Sequence, residues 1–129
     1  KKHKREKTMT ISVYGVVLDS KNAKALAEFY AKLLNEELVV ANDDWAAIKT
    51  KTGLYIAFQT VENYKRPVWP WKDNAQHPMA HLDLQVDDLP KAVDHALSCG
   101  ATKGSEQFSD EYIVMLDLDG HPFCLVMSE

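Results

Sequence analysis

With 129 residues, a net charge of −4 and hydrophobic side chains making up 46% of the chain, the sequence supports one compact core and is too short for two independent domains. Residues 1–8 (KKHKREKT) hold five Lys or Arg and one Glu, a local +4 that leaves −8 on the remaining 121 residues. An acidic globule repels nucleic acid, and so short a basic arm attracts it only weakly and without sequence preference, so a nucleic-acid partner is not expected.

Cys99 and Cys124 stand far apart without C-x-x-C spacing, no apolar leader precedes the first strand-like segment, and no apolar run approaches the roughly 20 residues that span a bilayer. These features predict a cytoplasmic, soluble protein with reduced thiols and no membrane partner. Residues 1–8 read as a basic disordered leader, with Met9 as the natural start, and residues 9–129 as a single domain.

Ile11 to Leu18 (ISVYGVVL) is rich in β-branched and aromatic side chains and runs into the turn formers Asp19 and Ser20, which predicts a first strand. Next, Leu26, Phe29, Tyr30, Leu33 and Leu34 form an apolar stripe at helical spacing, opposite Lys24, Glu28 and Lys32. A helix over 23–34 follows, capped by Ser20 or Asn22. Three short strands are predicted at 37–41, 45–49 and 54–59, separated by turns at Asn42-Asp43-Asp44 and Lys51-Thr52-Gly53. Glu37, Asp43 and Asp44 belong to a solvated turn region.

Residues 61–78 hold Pro67, Pro70 and Pro78 together with Trp69 and Trp71, and can continue neither a helix nor a central strand, so they read as a linker. The pattern then restarts. Met79 to Val86 alternates polar and apolar. Leu89, Ala92, Val93, Ala96 and Leu97 repeat the helical stripe, with Asp88 as cap, Pro90 in the first turn and Gly100 as terminator. Strands near 102–106, 111–116 and 122–127 complete a second βαβββ unit, the last two joined by a turn at Asp119-Gly120. The modules, about 11–60 and 79–127, superpose at an offset of 66 residues, which lays Leu26 over Ala92.

Several polar and aromatic residues interrupt this plan. His81 alternates with Leu82, Leu84 and Val86 and so shares a face with Asp83 and Gln85. There it is either a ligand-binding or proton-transferring group or a structural histidine. Cys124 sits in an apolar strand, as a buried thiol or as a nucleophile activated by His81. His121 caps a turn or reaches a ligand. Asp83 and Asp117 each break a strand, and either holds His81, lines the cavity or serves an ordinary hydrogen bond. Trp69, Trp71, Tyr64 and Tyr55 offer flat surfaces for a planar ring, or else pack over the open end of a sheet. Gln59 and Gln107 are amides able to read a polar ligand, whereas Phe58 belongs to the core.

The residues Ala27-Glu-Phe-Tyr30, His81-Leu-Asp-Leu-Gln-Val-Asp-Asp-Leu89, Cys99-Gly-Ala101 and Asp119-Gly-His-Pro-Phe-Cys-Leu-Val126 resemble the vicinal oxygen chelate superfamily, which includes glyoxalase I, extradiol dioxygenases and bleomycin-resistance proteins. Ala57-Phe-Gln59 and Arg66-Pro-Val-Trp-Pro70 look more narrowly like its glyoxalase-like subgroup. The resemblance implies an α+β fold of two tandem βαβββ modules forming a curved mixed sheet around a cavity, the glyoxalase/bleomycin resistance/dihydroxybiphenyl dioxygenase fold. It also implies ligand positions on the first and fourth strands of each module. These fall at about Gly15, near Ala57 with Gln59 further along the same face, at His81, and at Cys124, which stands at the carboxylate position. This is an incomplete metal-ligand set. The expectation is a small-molecule-binding protein without a resident cofactor, its ligand aromatic or heterocyclic and its site drawn from Tyr55, Gln59, Trp69, His81, Gln107, His121 and Cys124. One alternative is a metal-dependent lyase or dioxygenase in which His81 and further partners hold the ion; apart from a metal, His81 is the candidate proton shuttle and Cys124 the candidate nucleophile. The other is a non-catalytic interaction domain. The fold's open sheet edges add the expectation of a homodimer.

Overall fold

The computed structural model describes residues 9–128, so the basic leader expected at residues 1–8 lies outside the described residues. The first module comprises β1 (Gly15–Ser20), α1 (Ala23–Leu34), β2 (Leu38–Ala41), β3 (Trp45–Lys49) and β4 (Tyr55–Thr60). The second comprises β5 (Leu82–Val86), α2 (Leu89–Cys99), β6 (Thr102–Lys103), β7 (Tyr112–Leu116) and β8 (Pro122–Met127). Each module is one four-stranded mixed sheet, in the orders β1-β4-β3-β2 and β5-β8-β7-β6. In both, the first strand pairs parallel to the last and the remaining pairs are antiparallel. Two βαβββ modules of one topology are therefore present, and the register repeats as well: Val17 faces Ala57 as Asp83 faces Cys124.

The strand ends differ from those read off the sequence, for reasons of pairing. β1 starts at Gly15 and not Ile11, because β4 starts at Tyr55 after the Thr50–Gly53 turn. Ile11 and Val13 have no partner there and stand exposed. At its other end β1 runs on to Ser20, which opposes Thr60. β5 starts at Leu82 and not Met79, where a φ of 57° breaks the extended chain. β6 stops at Lys103. Beyond it the side-chain amide of Gln107 takes over the ladder, accepting from the Val114 N–H at 2.9 Å and donating to the Val114 carbonyl at 3.0 Å.

Asn22 caps α1 by accepting from the Ala25 N–H at 2.9 Å, while Ser20, the other candidate, accepts from the Asn22 N–H and donates to Asp119 at 2.6 Å. Asp88 caps α2, and Gly100 ends it at a φ of 112°, a left-handed conformation that costs glycine little. The modules share one core. Tyr30 of α1 stacks on Phe58 of β4 with centroids 5.4 Å apart, and reaches Phe123 of β8 edge-on at 6.1 Å. His95 of α2 bonds the Leu33 carbonyl of α1 at 3.0 Å. The apolar alternate positions of both sheets point into this core, so the opposite faces are left for other uses. Among the described residues no helix is long and apolar enough to cross a membrane.

Candidate functional site

On the face of the second sheet turned away from the core lies a pocket of about 360 Å³, lined by Trp69, His81, Asp83, Phe108, Tyr112, Val114, Pro122, Cys124 and Val126. Strand alternation puts them there: Pro122, Cys124 and Val126 share a face of β8, Tyr112 and Val114 share a face of β7, and His81 and Asp83 are two residues apart on the β5 side. The volume is in the range of small-ligand sites. Trp69 and Phe108 form the wall, their rings edge to face with centroids 5.8 Å apart. Trp69 is seated against Gly104, where an added Cβ would stand 3.0 Å from its ring.

The polar groups of the lining are the largely exposed side chains of His81 and Asp83 and the buried Cys124. His81 Nε2 lies 3.1 Å from Asp83 Oδ1, and one donor atom from each of His81, Asp83 and Cys124 falls within 4.8 Å of the others. Asp83 and Cys124 are register partners across β5 and β8. Burial, then the charge of Asp83 and a hydrogen bond to it, pushes the Cys124 thiol up to about 11. The thiol is therefore neutral at physiological pH.

Of the sequence-derived candidates, Trp69, His81 and Cys124 come together here, and four stand elsewhere. Tyr55 packs on Tyr14 in the first sheet, with centroids 4.8 Å apart. Gln59, exposed on that sheet, donates to Asp19 at 2.8 Å. Both ends of the Gln107 amide are spent on the backbone of Gly104 and Val114, which leaves it bracing a loop. His121 lies in the β7–β8 turn, its Nδ1 2.8 Å from Asp117. Asp117 thus holds His121, and Asp83 is the carboxylate that meets His81. Sequence reasoning passed over Tyr112 and Phe108. Tyr112 was recoverable, since it shares strand parity with Val114 opposite Cys124. Phe108 sits in a loop without periodicity and gave no signal except being aromatic.

The glyoxalase-like domain family matches residues 15–126. The chain belongs to that family. Its place in the vicinal oxygen chelate superfamily agrees with solved structures of the same fold. The glyoxalase-like chain is similar to a glyoxalase/bleomycin resistance protein/dioxygenase family enzyme from Burkholderia phytofirmans PsJN, at 17% identity and a TM-score of 0.70, over 91% of this chain and 98% of that one. It is also similar to the fosfomycin resistance protein FosX from Listeria monocytogenes, at 15% identity and a TM-score of 0.69, over 94% and 96%. A mutant of that FosX, similar at 15% identity and a TM-score of 0.68 over 92% and 90%, is complexed with Mn(II) and 1S,2S-dihydroxypropylphosphonic acid. At these identities the likeness establishes the fold. No curated protein matches the glyoxalase-like chain.

Proposed function

We propose that this glyoxalase-like protein binds a small organic molecule carrying a planar aromatic or heterocyclic ring, in the pocket that Trp69 and Phe108 line together with His81, Asp83 and Cys124. The observation that carries this reading is the pocket itself, which an aromatic pair and a compact polar cluster line together. Aromatic faces supply contact area at low entropic cost, while the His81–Asp83 pair supplies a donor and an acceptor that orient the ligand. The test is titration with a planar aromatic probe, 8-anilinonaphthalene-1-sulfonate. Binding should weaken by about tenfold, or about 1.4 kcal/mol, in Trp69→Ala and in Phe108→Ala. Equal affinity in wild type and both variants would sink the reading.

A second reading, a metal-dependent enzyme of the lyase or dioxygenase class, is favoured by the grouping of the three donor atoms. One nitrogen, one carboxylate and one thiol, which would give up its proton on binding, form a mixed set that fits a borderline ion such as zinc better than a hard ion that prefers oxygen. His81, Asp83 and Cys124 would hold such an ion, which would supply Lewis acidity toward a ligand oxygen. Elemental analysis of protein purified without chelator separates the two readings: near-stoichiometric metal selects the second. Either reading is compatible with a homodimer, since β1 and β5 each end a sheet with one edge unpaired among the described residues. A sedimenting species of 14.6 kDa alone at micromolar protein would remove the dimer.

A further inference from the structure

The turn between β7 and β8 holds three parts of the chain at once. Asp117, only 2% exposed, accepts from the Tyr30 hydroxyl at 2.6 Å, from the N–H of Asp119 at 2.8 Å and from the N–H of His121 at 3.0 Å, and it engages His121 Nδ1 at 2.8 Å. Asp119 accepts from Ser20 Oγ at 2.6 Å and from the Lys21 N–H at 3.0 Å, which ties in the first module. The linker is tied by Tyr64, whose hydroxyl donates to the Asp119 carbonyl at 2.8 Å, and by Arg66, which donates to the Leu118 carbonyl at 2.9 Å. Arg66 also lies over Gly120, where an added Cβ would stand 2.6 Å from its Cγ.

Asp117, His121 and Tyr64 have the outline of an acid–base triad, since His121 Nε2 stands 3.4 Å from the Tyr64 oxygen. The electrostatics oppose that use. Burial, then the charges of Asp119 and Asp117, raises the Tyr64 phenol, and its proton is already committed to the Asp119 carbonyl. A neutral phenol held in this way is a poor nucleophile and a poor base. What remains is a clasp made by a histidine whose neighbours favour its charged form.

We infer that His121 is a pH-responsive positioning residue: as an imidazolium it fastens the 61–78 linker to the second module, and losing its Nε2 proton slackens the Trp69 wall of the pocket. The regulatory part of this inference rests on the proposed ligand site, whereas the clasp does not. Because the Asp117 carboxylate faces Nδ1, that nitrogen keeps its hydrogen, and the proton that leaves is on Nε2, facing the Tyr64 oxygen. Afterwards the Tyr64 hydroxyl can serve either Nε2 or the Asp119 carbonyl but not both. One of the linker's ties is then lost two residues from Arg66 and five from Trp69.

The groups around His121 are Asp117 and Asp119 on its own turn, Asp19 from β1 and Tyr64 from the linker, with Lys65 and His77 of the linker lining the same cleft; Tyr30 from α1 and Arg66 act one step further out, through Asp117 and the Leu118 carbonyl. Burial opposes the charged ring, but the hydrogen bond and charge of Asp117, the charge of Asp119 and the Asp19 backbone outweigh it, so its pKa is raised. A raised folded-state value means that the stabilisation is fully present below the unfolded value of about 6.5 and is lost as pH rises through the folded value.

The test uses the full chain with Trp45→Phe and Trp71→Phe, which leaves Trp69 as the only indole. Acrylamide quenching of Trp69 is followed against pH beside the NMR titration of the His121 ring. Quenching should rise through one transition whose midpoint matches that of His121 and lies above about 6.5. The transition should vanish in His121→Asn, which keeps a donor toward Asp117 but does not titrate, and Tyr64→Phe should show the high-pH quenching at every pH. Quenching that stays flat while His121 titrates, or a transition that survives in His121→Asn, overturns the inference. Should His121→Asn fail to fold, Tyr64→Phe decides: a full transition there also overturns it. Binding of 8-anilinonaphthalene-1-sulfonate, measured alongside, separates the two proposals, because absent binding with an intact Trp69 transition removes only the ligand site.

Discussion

The backbone carbonyl of Tyr55 occupies the space that a Cβ on Gly15 would need, and the Tyr55 Cβ would stand 2.9 Å from it. Gly15 lies 66 residues before His81, at the corresponding place in the first module. The first module thus lacks a donor there for a steric reason as well as a compositional one. Any side chain at position 15 would have to push β4 away from β1. The group of His, Cys and Asp ligand atoms close enough to share an ion, His81, Asp83 and Cys124, lies in the second module.

Gly15→His should therefore cost about 1–3 kcal/mol of stability, the usual range for overpacking, and should add no metal affinity. Urea unfolding together with zinc titration checks both halves. A variant of wild-type stability that binds zinc more tightly would show that β4 yields easily.

Asp117 is predicted to be the most sensitive polar position in the fold. Asp117→Ala would strand the Tyr30 hydroxyl, the His121 ring and two backbone N–H groups, for a loss of about 3–5 kcal/mol. Tyr30→Phe, which removes one partner and keeps the packing on Phe58 and Phe123, should cost about 1–2 kcal/mol. Urea denaturation of the two variants gives the ranking, and a larger loss for Tyr30→Phe would reverse the assignment of Asp117 as the hub.

Much of the fold was legible because its signals are local. Helical spacing placed both helices, Asp88 and Gly100 announced the limits of α2, and the two apolar stripes exposed the duplication. Strand ends were less legible because a strand lasts only as long as its partner. Ile11 and Val13 have strong strand propensity but nothing opposite them. The pocket was half legible. Alternation in β5 separates His81 and Asp83 from the core-facing leucines, and β8 alternation places Cys124. The roles of Asp83 and Asp117 depend on which β-strand or turn lies across from each, a long-range fact that periodicity does not carry. Gln107 shows the same limit in reverse: an amide that reads as a ligand contact is instead the continuation of a short β6.

The wall of the pocket also predicts a separable effect on stability. Trp69 packs on Gly104, and Gly104→Ala would bring a methyl group to 3.0 Å from the indole and 3.1 Å from the Val114 carbonyl. Binding of the aromatic probe should fall in this variant while the thermal midpoint drops only slightly, because the contact lies outside the shared core. Unchanged probe affinity would mean that Trp69 does not form the wall.

The last prediction concerns Cys124. Its pKa of about 11 compares with about 9 for an unperturbed thiol, so its thiolate fraction at pH 7 is about a hundredfold smaller. Greater nucleophilicity of the more basic thiolate recovers part of that factor, and burial at 7% exposure adds an access barrier. Iodoacetamide labelling resolved by peptide should therefore be slow at pH 7 and accelerate steeply toward pH 10. Asp83→Asn removes the nearby negative charge and should speed labelling several-fold without restoring the rate of a free thiol, since burial is the larger cause. His81→Ala should change little, because the imidazole Nε2 is engaged by Asp83 at 3.1 Å. Fast labelling at pH 7 that His81→Ala slows would show instead that the imidazole activates the thiol, and would make Cys124 a nucleophile.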